Sequence, residues 1–319
     1  MHNLIKELVL RKLNNPILKE LSDSAFITYK DRLAFSTDSF VVNPLKFAGG
    51  DIGKLAVCGT INDLVMAGAE PQYLSLALIL EEGLAYKTLE GIIESIAANA
   101  KKAGVTVVTG DIKVVEKGAC DKVFINTSGM GRIVAKRRLS VTNIEPTDKV
   151  IVTGRIAQHG LAVLTKRKEL DLGFNIKSDC AALNSLLVPI LKKTKAIKFM
   201  RDPTRGGIAT TLNEISEASG LGILIGERNI PISSKVRAAS ELLGIDPLYL
   251  ANEGIAILVV EKNSAAKVLD LLRRHPLGRK AQEIGAVVKK PAGCVILNTI
   301  LGTSRIVDML TSEPLPRIC

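Results

Sequence analysis

The sequence contains no tryptophan and only 7 Phe and 4 Tyr. Proteins that stack nucleic-acid bases depend on aromatic platforms among basic residues, and no such interleaving is present. Long apolar runs are also missing. The longest, Leu74–Leu80 and Ile255–Val260, fall well short of the roughly 20 residues that span a bilayer. At the start of the chain, Leu4, Ile5, Leu8 and Val9 lie on one face of a charged helix, without the apolar core and cleavage site of a signal peptide. Cys58, Cys120, Cys180, Cys294 and Cys319 are scattered and include no CxxC pair, so neither a disulfide framework nor a zinc site is signalled. A cytoplasmic protein is the expectation. The common nucleotide signatures fail too. GGDIGKLA at 49–56 imitates a Walker A loop but carries Ala48 and Leu55 where Gly and Ser or Thr are needed, and SGMGRIV at 128–134 lacks the third Gly of a dinucleotide fingerprint. No HExxH, GxSxG or kinase signature occurs.

What is present describes a folded globular chain. At about 150 residues per domain, 319 residues imply two domains, and 47% hydrophobic with 24% charged residues excludes a disordered chain. The net charge of +11 leaves nucleic acid, an acidic partner or a polyphosphate substrate open.

Strand-like and helix-like segments alternate throughout, which predicts an α/β or α+β fold. Strands are expected at 25–29, 33–37 (ending at Asp38), 73–80, 105–109 and 122–134. Helices are expected at 52–66, after a capping Asp51, and at 86–102, closed by Gly104. The polar segment 136–149, which contains Pro146, is the candidate linker. Beyond it, strands are expected near 150–153, 222–225, 255–260 and 295–298, and helices near 160–168, 180–192, 207–219 and 264–274.

The chemistry-bearing residues cluster at element ends. Asp38 and Asp111 follow expected strands, and Asp63 lies beside Asn62 on the helix between them. Carboxylates at strand ends either converge to hold Mg²⁺ on a polyphosphate or serve as caps and turns. RDPTRGG at 201–207 is either a phosphate-binding loop at a helix N-terminus or a charged loop capped by Asp202 or Thr204. Glu253, in NEG before a buried strand, is either a working carboxylate or an edge charge. The prolines of the terminal EPLPRIC favour an extended arm; the nine residues after Leu310 could reach about 30 Å and end in a thiol. Such a thiol is either a carrier that visits an active site or part of a frayed terminus. His159 and His275 have no partner at ligand spacing and read as structural.

These residues, together with STDSFVVNPL at 36–45, TGDIKVVEKG at 109–118, ELLGIDPLYLANEG at 241–254 and the terminal LPRIC, resemble the hydrogenase maturation factor family HypE, the carbamoyl dehydratases. That family lies in the superfamily of aminoimidazole ribonucleotide synthetase and selenophosphate synthetase. The resemblance implies two α/β domains: 1–144, binding ATP and forming a homodimer through a mixed sheet, and 145–310, an α/β sandwich. A mobile tail, 311–319, would follow. It implies ATP and Mg²⁺ as cofactors. A HypF-like carbamoyltransferase would load a carbamoyl group onto Cys319, ATP would drive its dehydration to a thiocyanate, and a HypC–HypD-like scaffold would receive the cyanide for its iron. By the same resemblance Asp38, Asp63 and Asp111 hold the metal. Asn62, Asp63, Asp111, Arg201, Thr204 and Arg205 line the nucleotide, and Asp23 is a further candidate. Cys319 is the carrier, with Lys113 and Glu253 orienting and deprotonating the carbamoyl group. SDSA at 22–25 replaces a paired-aspartate motif, and Gln158 and Ile255 stand where an acid and a base are expected. The competing expectations are another ATP enzyme of the superfamily, such as a selenophosphate synthetase or small-molecule kinase, and a non-catalytic docking protein.

Overall fold

A computed structural model describes residues 11–13, 15, 29–310 and 317–319. The N-terminal helix, the strand at 25–28 and Asp23 lie outside these residues.

The first domain runs β1 (Leu33–Phe40), β2 (Lys46–Phe47), β3 (Gly50–Asp51), α1 (Ile52–Met66), β4 (Ala69–Glu81), α2 (Tyr86–Ala103), β5 (Thr106–Val115) and β6 (Val123–Ile133). Its sheet has the order β1-β6-β4-β5, with only β4 and β5 parallel. Helix α1 is the centre of the molecule. Every residue from Ile52 to Met66 is buried except Lys54 and Asp63. A helix apolar on all sides has to be covered on all sides. It is packed by the sheet, by α2 and by the second domain. Asp51 caps it, its carboxylate accepting from Lys54 N at 2.9 Å.

The second domain contains β7 (Lys149–Val152), α3 (Gln158–Arg167), α4 (Asn184–Lys193), β8 (Ile197–Arg201), α5 (Gly207–Ser219), β9 (Gly222–Gly226), α6 (Ser234–Leu243), β10 (Ile257–Val260), α7 (Ala265–Arg273), β11 (Gln282–Val288), β12 (Val295–Asn298) and β13 (Ser304–Ile306). The seven strands are ordered β13-β12-β9-β11-β7-β10-β8. Strand β10 is buried on both faces. Leu258 and Val260 join a core that includes α1, α2, α4 and α7, whereas Ile257 and Val259 join a second core on the other face, with α5 and α6. The first core runs through both domains, so they meet as one packed body.

Three expectations change. The linker segment is pinned: Asp148 is buried and pairs at 3.0 Å with Lys198 Nζ of β8, and Ser140 N donates to Lys198 O. Helix α4 starts at Asn184 rather than Cys180, because backbone donors at 180–183 are taken by other groups: Cys180 N by Ser178 Oγ, Ala181 N by Glu253 O and Leu183 N by Asn62 Oδ1. Strands β1 and β5 continue past Asp38 and Asp111, so both carboxylates lie within strands and sheet register decides where they point. Element α6 and strands β8, β11 and β13 had no clear sequence signal.

Candidate active site

A cavity of about 330 Å³ opens where α1 meets the end of β8 and the start of α5. It is lined by Asp38, Asp63, Asp202, Glu253, Arg201, Thr204, Arg205 and Cys319, with Thr210, Thr211 and Glu214 of α5 completing the wall.

The acidic side is built by two elements. Asp38 is on the face of β1 that looks onto α1; a Cβ on Gly59 of α1 would lie 3.6 Å from its Oδ2. Asp63 accepts from Ser36 Oγ at 2.7 Å. Burial, then the neighbouring Asp63 charge, push the Asp38 carboxyl up to about 6. Burial raises Asp63 as well, against the Ser36 hydrogen bond and the Arg201 charge. Asp202 is held up at about 7 by burial and then by Asp63. Three carboxylates crowded together in this way form a hard-oxygen donor set of the kind that suits Mg²⁺. Among the described residues no three His, Cys, Asp or Glu side chains converge tightly enough to ligate one ion by themselves. Mg²⁺ commonly takes one or two protein carboxylates and draws its other ligands from phosphate and water.

The opposite wall comes from RDPTRGG. Arg201 pairs with Glu214 at 3.0 Å, and Gly206 and Gly207, both at positive φ (+67° and +59°), turn the chain into α5. A Cβ at Gly207 would lie 2.5 Å from Leu248 O, so only glycine brings this helix start so close to the 248–250 backbone. Asn252, fully buried, fastens the loop: its Nδ2 donates to Pro203 O, and its Oδ1 accepts from Ala157 N.

Glu253 is buried, and its Oε1 has no partner. Burial, then the charges of Asp202, Asp179 and Asp38, drive its carboxyl well above the usual range. Its backbone N–H and that of Gly254 donate to Asp179 Oδ2 at 3.0 and 2.8 Å. A Cβ at Gly254 would lie 1.9 Å from Asp179 O, which explains the glycine after Glu253. The Thr210 hydroxyl is the other buried, unpartnered polar atom of the cavity wall. Both can engage a polar ligand.

Cys319 occupies the cavity with the tail docked. Residues 317–319 pair with the chain after β1: Val41 N donates to Cys319 O at 3.0 Å, Asn43 N to Arg317 O at 3.3 Å, and Arg317 Nε to Val41 O at 3.0 Å. Arg317 also forms an ion pair with Asp121 and lies over the Phe124 ring. Burial, then Glu253, raise the thiol to about 12, although Arg205 hydrogen-bonds it. The docked cysteine is therefore a protonated thiol and a poor nucleophile.

Two residues expected on one site with Asp38 are elsewhere. Asp38 pairs in register with Thr127, Thr127 with Leu76, and Leu76 with Gly110, whereas Asp111 is opposite Ala77. One residue of offset places a side chain on the other face, so Asp111 and Lys113 share the outer face. There they pair at 3.0 Å, exposed, and Lys113 lowers Asp111. The expected trio of Asp38, Asp63 and Asp111 is not assembled within one chain; Asp202, not Asp111, lines the cavity with Asp38 and Asp63.

Asn62 is not in the cavity wall either. It is buried, donates to Ala181 O at 3.1 Å and Glu253 O at 3.3 Å, and accepts from Leu183 N at 2.9 Å. It fastens α1 to the second domain. Asn62→Ala is expected to cost about 2–3 kcal/mol in urea unfolding, since the buried Leu183 N–H and Ala181 carbonyl lose this partner and the Glu253 carbonyl loses one of its two. Unchanged stability with lost ATP binding would instead restore the nucleotide-contact role.

His159 is more than packing. It is fully buried, edge-on to Phe47, with Nδ1 2.9 Å from Ser178 Oγ and Nε2 2.8 Å from Ile318 O. Burial depresses its pKa to about 4, against the Ile318 hydrogen bond. Above pH 6.5 the imidazole is neutral whether folded or unfolded. Between 6.5 and 4 only the unfolded chain takes up the proton, so stability falls on acidification by up to about 3 kcal/mol. The raised carboxyls of Asp38, Asp179 and Asp202 act with the opposite sign. The measurement is thus a difference: the stability gap between the native chain and His159→Gln should move in favour of the variant as pH falls from 6.5 to 4.

Sequence reasoning passed over Asp202 as a cap, His159 as structural, and Asp179, Ser178 and Glu214 altogether. Only Asp202 had a usable signal, its place in RDPTRGG.

The chain was compared with known proteins. Residues 21–133 match the family model for the N-terminal domain of AIR synthase related proteins, and residues 145–298 match that for the C-terminal domain. The carbamoyl dehydratase HypE of Cupriavidus necator H16 is 46% identical over 318 residues, spanning 99% of this chain and 91% of the relative. A crystal structure of hydrogenase maturation protein HypE in complex with ATP superposes with a TM-score of 0.96 at 45% identity, covering 100% of this chain and 96% of that one. A crystal structure of a HypE–HypF complex matches with a TM-score of 0.85 at 46% identity, covering 96% and 99%.

Proposed function

From its membership of the carbamoyl dehydratase HypE family, within the AIR synthase related proteins, we propose that the chain dehydrates a carbamoyl group carried on Cys319 to a thiocyanate in hydrogenase maturation, using ATP. The observation that carries this reading is the placement of the Cys319 thiol in a cavity with Glu253, Arg205 and three clustered aspartates. The thioester-like S–C bond persists, the carbamoyl oxygen leaves within phosphate, and both N–H protons are lost. ATP supplies the activation, turning an oxide that cannot leave into a phosphate that can.

The chain's own residues do the rest. Asp38, Asp63 and Asp202 would hold Mg²⁺, while Arg201, Thr204 and Arg205, with the N-terminus of α5, would meet the phosphates. Glu253, buried and unpartnered at Oε1, is the group to take an N–H proton.

The outer face of the first sheet supports a homodimer. Leu33, Phe35 and Ile79 are exposed there, Phe35 to 69%, on the face that carries Asp111 and Lys113. Pairing of two copies on this face would bring Asp111 and Lys113 to the interface, within reach of a nucleotide bound there. Loading by a HypF-like carbamoyltransferase and delivery to a HypC–HypD-like iron scaffold complete the proposed cycle. Cytoplasm, with its reduced thiols, is the proposed location; all five cysteines are free. Among the described residues no helix is long and apolar enough to cross a membrane.

The test is intact-protein mass spectrometry after incubation with a HypF-type carbamoyltransferase, carbamoyl phosphate and ATP, beside Cys319→Ala. A carbamoyl adduct confined to Cys319, converted by ATP to a species lighter by one water, is expected. No adduct with a demonstrably active partner, or ATP turnover on a free substrate that survives Cys319→Ala, would move the chain to another ATP chemistry of the superfamily.

A further inference from the structure

We propose that His159 is a positioning residue that latches the docked tail by the main-chain carbonyl of Ile318 and ties that docking to the loop beneath Glu253. Ile318 O can only accept, so Nε2 of His159 must be the donor across 2.8 Å. In the neutral ring Nδ1 is then an acceptor, and the Ser178 hydroxyl, 2.9 Å away, donates to it. Ser178 Oγ also accepts from Cys180 N at 3.0 Å, which fixes the hydroxyl between ring and loop.

The loop so held is the one that sets Glu253. Ser178 N donates to Ala48 O, Asp179 Oδ2 accepts from Glu253 N and Gly254 N, and Ala181 N donates to Glu253 O. A path of hydrogen bonds joined by the 178–181 backbone therefore runs from the residue preceding the thiol, through imidazole and hydroxyl, to the backbone of Glu253. Arg167 adds a second clamp, donating from Nε to Asn43 O and from Nη2 to Arg317 O.

The latch contacts only main chain on the tail. It can recognise a docked tail whatever group the thiol bears, so a loaded and an unloaded tail dock by the same contacts. Undocking removes the Ile318 acceptor from the His159 N–H, so the docked state carries a hydrogen bond that the undocked one lacks. The assignment uses the proposed function only to give docking a purpose; its geometry involves neither ATP nor the carbamoyl group.

The experiment is labelling by iodoacetamide in the absence of ATP and partner, with peptide mapping of Cys319 against the half-buried Cys294 as internal reference. His159→Leu should raise the Cys319:Cys294 labelling ratio about ten- to hundredfold, the scale of a lost buried hydrogen bond. His159→Gln, which returns an N–H near the Nε2 position, should restore most of the protection. The melting-temperature loss from His159→Leu should shrink in a chain lacking residues 317–319. Wild-type labelling in His159→Leu, or an equal thermal loss with and without the tail, overturns the proposal and leaves the imidazole as packing. If His159→Leu does not fold, Ser178→Ala decides: raised Cys319 labelling supports the latch and unchanged labelling refutes it. Failure of the dehydratase reading would leave these ratios unaffected.

Discussion

Asp63→Asn is expected to lower ATP-dependent turnover by about two to three orders of magnitude, the loss typical when a preorganised electrostatic partner of a developing charge is removed. The isosteric amide keeps the shape of the site, and the Ser36 hydroxyl can still donate to its oxygen, as it does to Asp63 Oδ2 at 2.7 Å. What disappears is one of three clustered charges available to a divalent cation. The same crowding raises Asp38 and Asp202 toward neutrality, so the variant should melt no lower than the native chain. Turnover should recover in part at high Mg²⁺, because a weakened site can be refilled by mass action. Steady-state ATP hydrolysis against Mg²⁺ concentration, paired with thermal melts, tests this. Full turnover at ordinary Mg²⁺ would remove Asp63 from the metal site.

Glu253→Gln should separate stability from chemistry. The native carboxyl is buried, unpartnered at Oε1 and set against Asp202, Asp179 and Asp38. An amide relieves that repulsion and can donate to a neighbouring carboxylate, so unfolding should become harder by about 0.5–2 kcal/mol. Dehydration should fall by about 10²- to 10⁴-fold, the range for a lost general base. A loaded tail would then accumulate as the carbamoyl adduct, visible by intact mass. Lower stability with normal dehydration would show that Glu253 is structural and leave the base to another group of the cavity.

Much of this was legible in the sequence. Helix α1 and its cap at Asp51 follow from the turn and the apolar run at 52–66, and Gly104 closes α2 in the left-handed conformation, φ +68°. The two-domain α/β architecture follows from the alternation of elements. The grouping of Asp38, Asp63, Arg201, Thr204, Arg205, Glu253 and Cys319 around one cavity was reached through motif resemblance, since these residues come from distant parts of the chain. Asp111 escaped because strand ends were set too early. Once β5 runs to Val115, the parity of the register decides which face a side chain takes, and parity cannot be read without the pairing partner. His159 escaped because its partner is a main-chain carbonyl brought from 159 residues away, which no spacing rule reports. The linker looked free because Asp148 is hydrophilic by composition; its ion pair with Lys198 exists only in three dimensions.

The docked end of the tail also acts as a ruler. Its hydrogen bonds fix Arg317 and Cys319 against Asn43 and Val41 in a definite count of residues. Each added residue advances an extended chain by about 3.3 Å, whereas catalysis loses about two orders of magnitude when a reacting group is misplaced by roughly 1 Å. A single glycine inserted between Arg317 and Ile318 would therefore leave a chain with the same thiol, the same cavity and the same helices, yet with its cargo delivered out of step. The length of the arm, measured from its anchor, is as much a part of the active site as the carboxylates that line it.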